Sequence, residues 1–260
     1  MYEQAMWQGF APFIVTAKIE AATDIAAFTV VPVNDHLVNN QTIDLSKIKL
    51  SAGQYITVKT DPADSDHIAL RHYSLYSANS DQGIQFAVRR DNRNEHHGLV
   101  SNYLHDHLAV GDTVLLSAPA GDFELNQELM QQDDIPLVLI SAGVGVTPIL
   151  SMLEAQVTAN RHHPMVRVYA CQNQEHHAFD SEVNKLLATA TNVEKHIFYF
   201  ESGQILNEAW LSNLPKLADI YVCGSMPFME SIIDSLIILD HVLDNIHYEP
   251  FGPKMSIELA

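Results

Sequence analysis

The chain reads as a β plus α/β protein, an antiparallel β-barrel followed by a parallel-sheet α/β domain. Three observations predict this. Its 260 residues are too many for one compact domain of ordinary size and suit two. Residues 13–123 consist mostly of short β-branched and aromatic runs, the pattern of a small antiparallel barrel. Beyond them, continuous apolar runs alternate with helical patterns, as in a parallel sheet covered on both faces.

Residues 1–12 read as a linker-like segment. The strongest strand runs after it are Phe13-Ile14-Val15, Ala27-Phe28-Thr29-Val30-Val31, Gln54 to Lys59, Ile84 to Val88 and Thr113 to Leu116. Turn chemistry separates several of them, at Ala52-Gly53, Asp81-Gln82-Gly83 and Val110-Gly111-Asp112. The polar stretch from Asn34 to Lys49 reads as an exposed loop or hairpin. One helix interrupts the strands: Val100, Tyr103, Leu104 and Leu108 share a face, and Ser101 stands where a cap is wanted. Gly98 before it permits close backbone approach. A helix start offers amide donors to phosphate, although most capped helices bind nothing.

The boundary falls between Phe123 and Pro136, giving domains at 13–125 and 134–260. Leu137-Val138-Leu139-Ile140 is a buried parallel strand, and Ser141 to Val146 a glycine turn. Thr147 then caps a helix with Pro148 at its first position. Taken alone, Gly-x-Gly-x-Thr-Pro serves a structural turn as readily as a dinucleotide pyrophosphate. Further strands are Val166 to Cys171, Ile197 to Phe200 and Ile220 to Cys223. The last runs into Gly224 and a helix from about Pro227.

Composition excludes several classes. Hydrophobic residues make up 47% and charged residues 18%, which is globular. Thirty-two acidic against 14 basic residues give a formal charge of −18, which repels nucleic acid and anionic membranes. That surface suits high solubility or a basic protein partner. Met1 to Gln4 lacks the start of a secretory signal. Residues 135–153 are uncharged for 19 positions, but Pro136, Gly143, Gly145 and Pro148 make a strand, turn and helix the better reading than a membrane span. Two cysteines suggest no disulfide framework and fit a cytoplasmic protein. The 14 histidines have no acidic or cysteine partner at ligand spacing, so no metal site is assigned; His105 and His107 read as solvated.

Specific resemblance enters with Arg71-His72-Tyr73-Ser74-Leu75, which is similar to the flavin-binding Arg-x-Tyr-Ser-Leu segment of the ferredoxin–NADP reductase superfamily. Ser141 to Pro148 resembles that superfamily's nicotinamide-side loop, and Cys223-Gly224-Ser225 its Cys-Gly-Pro element. Narrower marks resemble the reductase portion of flavohemoglobins, the nitric oxide dioxygenases. They are Val100 to His105, Ala118 to Phe123, His177-Ala178-Phe179 and Ile246 to Pro253. These stand in the family's order, from about Trp7 to Pro253. Ser225 in place of proline is a departure expected to loosen its turn. Asp91 to His97 is longer and more polar than the corresponding family stretch.

The resemblance implies FAD in the barrel and NAD(P)H in the α/β domain. Arg71 would pair with the FAD pyrophosphate, Tyr73 would lie on the isoalloxazine, and Ser74 would bond near flavin N5. Tyr55, His72, Val88 and Arg89 would contact the cofactor, with Gly98, Val100 and Ser101 at the helix start that meets its pyrophosphate. Ala142, Gly143, Val144, Gly145, Val146 and Thr147 would cradle the NAD(P)H pyrophosphate. Cys223 and Gly224 would stand near the nicotinamide, and Glu249, Pro250, Phe251, Gly252 and Pro253 near the flavin. Ser74, Cys223 and Glu249 are the implied catalytic positions. Gln172 to His177 lacks Arg and Lys, which favours NADH over NADPH.

The expected activity is therefore hydride transfer from NADH to FAD, followed by single-electron transfer to a haem. The haem would belong to a globin domain or globin protein that this chain does not contain, as in nitric oxide detoxification. Two alternatives stand beside it: a free-standing flavin or ferric reductase with diffusible acceptors, and a non-catalytic FAD-binding sensor. No four-cysteine cluster is present, which excludes a plant-type iron–sulfur module.

Overall fold

The computed structural model describes residues 6–33, 37–38, 41–60, 69–91, 98–126, 132 and 134–250. Contacts divide the chain into two compact units that meet at Glu124 and Leu125.

In the first unit, β1 (Phe10–Ala22), β2 (Ile25–Pro32), β5 (Tyr55–Thr60), β6 (Ala69–Ser74), β7 (Ile84–Arg89) and β8 (Thr113–Ser117) form one antiparallel sheet, ordered β6-β5-β8-β1-β2-β7. Short strands β3 (Leu37–Val38) and β4 (Gln41–Thr42) pair as a separate hairpin. The large sheet curls until its ends meet. Leu75, just past β6, bridges Phe86 of β7, and the Tyr76 amide donates to the Gln85 carbonyl at 3.1 Å. Register shifts in β1 between Val15 and Ala17, and between Glu20 and Ala22, supply the bends that closure requires. Alternate residues fill the interior. Phe28 and Phe86 face each other across β2 and β7 and stack at 5.4 Å, above fully buried Phe13, Ile56 and Leu116.

Two expectations change here. The linker-like segment is part of the barrel from Trp7 onward. The Trp7 ring is buried, its Nε1 donates to the Leu116 carbonyl at 3.1 Å, and Phe10 to Pro12 pair with β8. His105 is not solvated: its Nε2 lies 2.9 Å from the Val88 carbonyl, and burial lowers its pKa, whereas His107 is exposed.

Helix α1 (Leu99–Asp106) packs on β6 and β7. Gly98 is its N-cap, and Ser101 lies inside the first turn rather than capping it. The serine hydroxyl is used otherwise, donating to the Gly98 carbonyl at 3.1 Å and accepting from the Asp91 amide at 3.2 Å. At the far end Lys18 Nζ donates to the carbonyls of Leu104, His105 and Leu108 at 3.2, 2.7 and 2.8 Å. Arg90 adds a two-pronged ion pair to Asp106, at 2.9 and 2.7 Å. The helix is thus held by groups at both of its ends.

In the second unit, β9 (Leu137–Ala142), β10 (Met165–Cys171), β11 (Val193–Tyr199), β12 (Asp219–Cys223) and β13 (Ile246–Tyr248) make a parallel sheet, ordered β11-β10-β9-β12-β13. Helices α2 (Val146–Thr158), α3 (Asp180–Leu187), α4 (Glu208–Leu211) and α5 (Met226–Ile238) connect the strands. One face packs Val138, Ile140, Ile220 and Val222 against Met229, Ile232, Ile233 and Leu236 of α5. β13 was not expected; three residues carry too little pattern to announce a strand.

Helix α2 begins earlier than expected. Gly145 is its N-cap, Thr147 sits in the first turn with its hydroxyl on the Val144 carbonyl at 3.0 Å, and Pro148 follows. A proline in that first turn lacks an N–H that would have no intrahelical partner anyway. The uncharged stretch 135–153 is accordingly a strand, a glycine turn and a helix. No helix among the described residues is long and apolar enough to cross a membrane. Cys171 and Cys223 are both free and buried.

Candidate functional site

Strand order in the second unit runs outward in both directions from β9, so chain connections leave to opposite sides at β9 and β12. Such a switch point opens a crevice at the carboxyl ends of the strands, where open α/β sheets bind ligands. The sequence puts its glycines there. Gly143 takes a positive φ of 54°, and Gly143–Gly145 form a tight turn between β9 and α2. A Cβ on Gly145 would lie 2.4 Å from the Cys223 carbonyl oxygen and 2.7 Å from the Gly224 nitrogen, so the two loops touch through main chain. Gly224 is equally confined, since a Cβ there would approach Phe228 at 2.7 Å and Ala142 at 3.3 Å. The Cys223 thiol donates to the Glu249 carbonyl at 3.8 Å.

Thus Ala142 to Thr147, Cys223, Gly224 and Glu249 come together, with Pro250 following; Phe251, Gly252 and Pro253 lie outside the described residues. Val146 and Thr147 have buried side chains, which leaves main chain as what the loop can offer a ligand. No side chain caps α2, so the positive end of its dipole and its first amides suit a phosphate. Burial pushes the Cys223 thiol up, with Glu249 adding to the effect, and keeps it protonated. It can donate a hydrogen bond but is no thiolate nucleophile. Ser225, expected to loosen its turn, has φ −69° and ψ 151°, the backbone conformation a proline there would adopt.

In the first unit β5 and β6 bring a second group together. Register pairs Tyr55 with Ser74, Ile56 with Tyr73, Thr57 with His72 and Val58 with Arg71. The Tyr55 and His72 rings lie 4.7 Å apart, and His72 Nδ1 is 2.8 Å from the Thr57 hydroxyl. Tyr73 stacks on Phe86 at 5.9 Å, and burial raises its pKa so that the phenol stays neutral. Arg71 is exposed, with Nη1 on the neighbouring Leu70 carbonyl at 2.7 Å. The Ser74 hydroxyl is buried and has no hydrogen-bond partner among the described residues. An unmatched buried hydroxyl costs about 1–3 kcal/mol, and rotation about χ1 would turn it to a ligand acceptor. On β7, the Val88 side chain is fully buried while Arg89 is exposed. Gly98, Val100 and Ser101 form the start of α1, which no side chain caps.

These groups fit the implied cofactor chemistry: an exposed guanidinium, an uncapped helix start, neutral aromatic rings and an unmatched hydroxyl stand on adjacent elements. Among the described residues, no group of three or more His, Cys, Asp and Glu is arranged to hold a metal ion.

Sequence reasoning missed Glu201, which follows β11. Gln172 Nε2 and Asn173 Nδ2, which follow β10, donate to its two carboxylate oxygens at 2.5 and 2.8 Å. Hydrogen bonds from Asn173 and then Gln172 lower its pKa and hold it ionised. It also missed the column beneath the loop. The buried His177 ring stacks on Tyr169 at 5.1 Å, its Nδ1 lies 2.9 Å from the Tyr199 hydroxyl, and burial pulls its pKa to about 4. Its folded-state pKa lies below the ordinary imidazole value of 6.5, so the unfolded chain takes up the proton first. Stability should therefore fall as pH drops from about 6.5 towards 4. Urea midpoints at pH 7 and pH 5 should drop further in the wild type than in His177→Asn; equal drops would remove His177 as the cause.

Known proteins resemble this chain in the same two places. The family described as oxidoreductase FAD-binding domain matches residues 15–125, and that described as oxidoreductase NAD-binding domain matches residues 139–234. The flavohemoprotein of Oceanobacillus iheyensis is 34% identical over 261 residues, covering 96% of this chain and 61% of that protein. That of Bacillus subtilis is 33% identical over 276 residues, covering 99% and 64%. The chain therefore spans less than two thirds of either. The crystal structure of the flavohem-like FAD/NAD binding domain of nitric oxide dioxygenase from Vibrio cholerae superposes with a TM-score of 0.79. It is 31% identical, covering 94% of this chain and 99% of that one.

Proposed function

This chain belongs to the family of flavohemoprotein-type FAD- and NAD-binding oxidoreductase domains, and on that premise we propose that it uses NADH to deliver single electrons to a haem. FAD, when bound, supplies the chemistry, accepting hydride from the nicotinamide and releasing its electrons one at a time. The protein's task is to bind, orient and exclude water. The observation that carries the reading is the contact between the Gly143–Gly145 turn and Cys223–Gly224 at the switch point. A dinucleotide pyrophosphate needs such main-chain access beside a helix start.

Arg71 pairs with the FAD pyrophosphate through its forked guanidinium, together with amides at Gly98, Val100 and Ser101. Tyr73 would lie against the isoalloxazine; Tyr55 and His72, on the other face of the β5–β6 pair, would contact the cofactor separately. Ser74 turns its hydroxyl to the flavin near N5. Arg89 adds positive charge, while Val88 has only main chain to contribute. The protonated Cys223 thiol would border the nicotinamide, and Glu249, whose carbonyl accepts from that thiol, would approach the flavin. Glu201, clamped by Gln172 and Asn173, accepts a hydrogen bond from the adenosine ribose and repels a 2′-phosphate, which selects NADH over NADPH. The acceptor is the haem of a globin, the arrangement that supports nitric oxide dioxygenation.

Anaerobic addition of NADH to the FAD-loaded chain tests this. Bleaching of the flavin absorbance should be at least about tenfold faster with NADH than with NADPH at equal subsaturating concentration, as expected for one mismatched charged contact. After one equivalent of NADH, two equivalents of a ferric globin per flavin should restore the oxidised flavin spectrum as both haems are reduced. No bleaching by either nucleotide removes the reductase reading; bleaching without haem reduction removes only the acceptor.

A further inference from the structure

We infer that Tyr169 is a positioning residue for the dinucleotide pyrophosphate, its buried hydroxyl setting the peptide plane from which the Val144 amide is presented. This rests on the reading of Ala142 to Thr147 as the NADH pyrophosphate loop. Tyr169 lies on β10, next to β9, and is fully buried. Its hydroxyl is 3.2 Å from the Gly143 carbonyl oxygen and 3.3 Å from that of His176. Its single proton is shared between the two carbonyls, so one residue ties the glycine turn after β9 to the turn after β10.

The Gly143 carbonyl accepts from the Val146 amide as well, so both of its lone pairs are engaged inside the protein. No cis peptide bond occurs among the described residues. In a trans peptide the carbonyl and the following N–H point in opposite directions across one plane. Drawing the Gly143 carbonyl towards Tyr169 thus aims the Val144 N–H away from the sheet interior. Gly143, at φ 54°, has the freedom to rotate that plane, and the tyrosine removes the freedom.

The ring is itself held in place. His177 stacks on it, and His177 Nδ1 lies 2.9 Å from the Tyr199 hydroxyl. The Arg167 guanidinium lies 5.5 Å from the ring centroid. Such packing fixes the hydroxyl to the accuracy that a phosphate contact needs.

Tyr169→Phe removes the hydroxyl and leaves the packing. With the FAD-loaded chain, KM for NADH should rise about five- to tenfold, the value of one oriented hydrogen bond, while kcat changes less than about twofold. Reduction by N-benzyl-dihydronicotinamide, a hydride donor without phosphate, should be unchanged. Equal losses with both donors, or no change with either, would overturn the assignment. If NADH fails to reduce even the wild-type flavin, the reductase reading falls. The Kd of ADP-ribose, which needs no turnover, then decides Tyr169: a five- to tenfold weaker value in Tyr169→Phe supports the inference, and an equal value overturns it.

Discussion

Gly145→Ala should lower kcat/KM for NADH by about 100-fold or more while leaving FAD content unchanged. The added Cβ would stand 2.4 Å from the Cys223 oxygen, 2.5 Å from its carbonyl carbon and 2.7 Å from the Gly224 nitrogen. All three are main-chain atoms, so no flexible side chain can swing aside. Gly145 itself has φ −61° and ψ −7°, which alanine adopts freely, so the effect is steric rather than conformational. The glycine turn and the end of β12 must separate, and overpacking of this kind costs about 1–3 kcal/mol of stability. The larger consequence is for catalysis, because a displacement of roughly 1 Å in a positioning element costs about 100-fold in rate. The residues proposed to hold FAD lie in the other unit, which is why its content should be spared. Stopped-flow reduction and flavin-to-protein absorbance ratios measure both quantities. Wild-type kcat/KM in this variant would show that the two loops need not touch for hydride transfer.

Lys18→Met should destabilise the first unit by about 2–3 kcal/mol and weaken FAD binding with it. The ammonium satisfies three carbonyls at the end of α1, and hydrogen bonds from a charged donor contribute about 1.5–3 kcal/mol where the partners have no alternative. Methionine keeps an aliphatic stem beside the Phe28 ring, over which Lys18 Nζ lies at 5.5 Å, so packing loss stays small. The cation also opposes the negative end of the α1 dipole. Loosening that end frees the helix whose other end, at Gly98 and Val100, is proposed to meet the FAD pyrophosphate. Urea denaturation at neutral pH and FAD titration of the apoprotein check the two effects. A stable variant with weakened FAD would mean that the lysine acts on the cofactor directly; a variant unchanged in both would mean that solvent replaces its three bonds.

The succession of an antiparallel and a parallel sheet was legible because it rests on local pattern. Leu137 to Ile140 announces a doubly covered strand, and alternation in Ile84 to Val88 announces a half-open one. The helix starts were misplaced for one shared reason. Ser101 and Thr147 look like caps, but each spends its hydroxyl on a carbonyl three residues back, and a glycine takes the cap position instead. Composition shows which residues can cap and not which hydrogen bond they will make.

The proposed functional residues divide in the same way. Arg71, Tyr73, Ser74 and the two glycines stand in short motifs, because a cofactor's pyrophosphate and ring are met by neighbours along one strand or turn. Glu201 was silent. It is an ordinary acidic residue until β10 and β11 pair in parallel and bring Gln172 and Asn173 to its carboxylate. Lys18 was equally silent, since its partners lie 86 to 90 positions away.

By itself the sequence determined the antiparallel and the parallel sheet and the FAD- and NAD-binding oxidoreductase family, since each follows from hydrophobic periodicity and contiguous motifs. Only the tertiary structure decided that Gly145 must lack a Cβ, that Lys18 closes α1, and that Tyr169 joins two turns. Those outcomes depend on distances between segments far apart in the chain, and the packing of strands, helices and loops creates them.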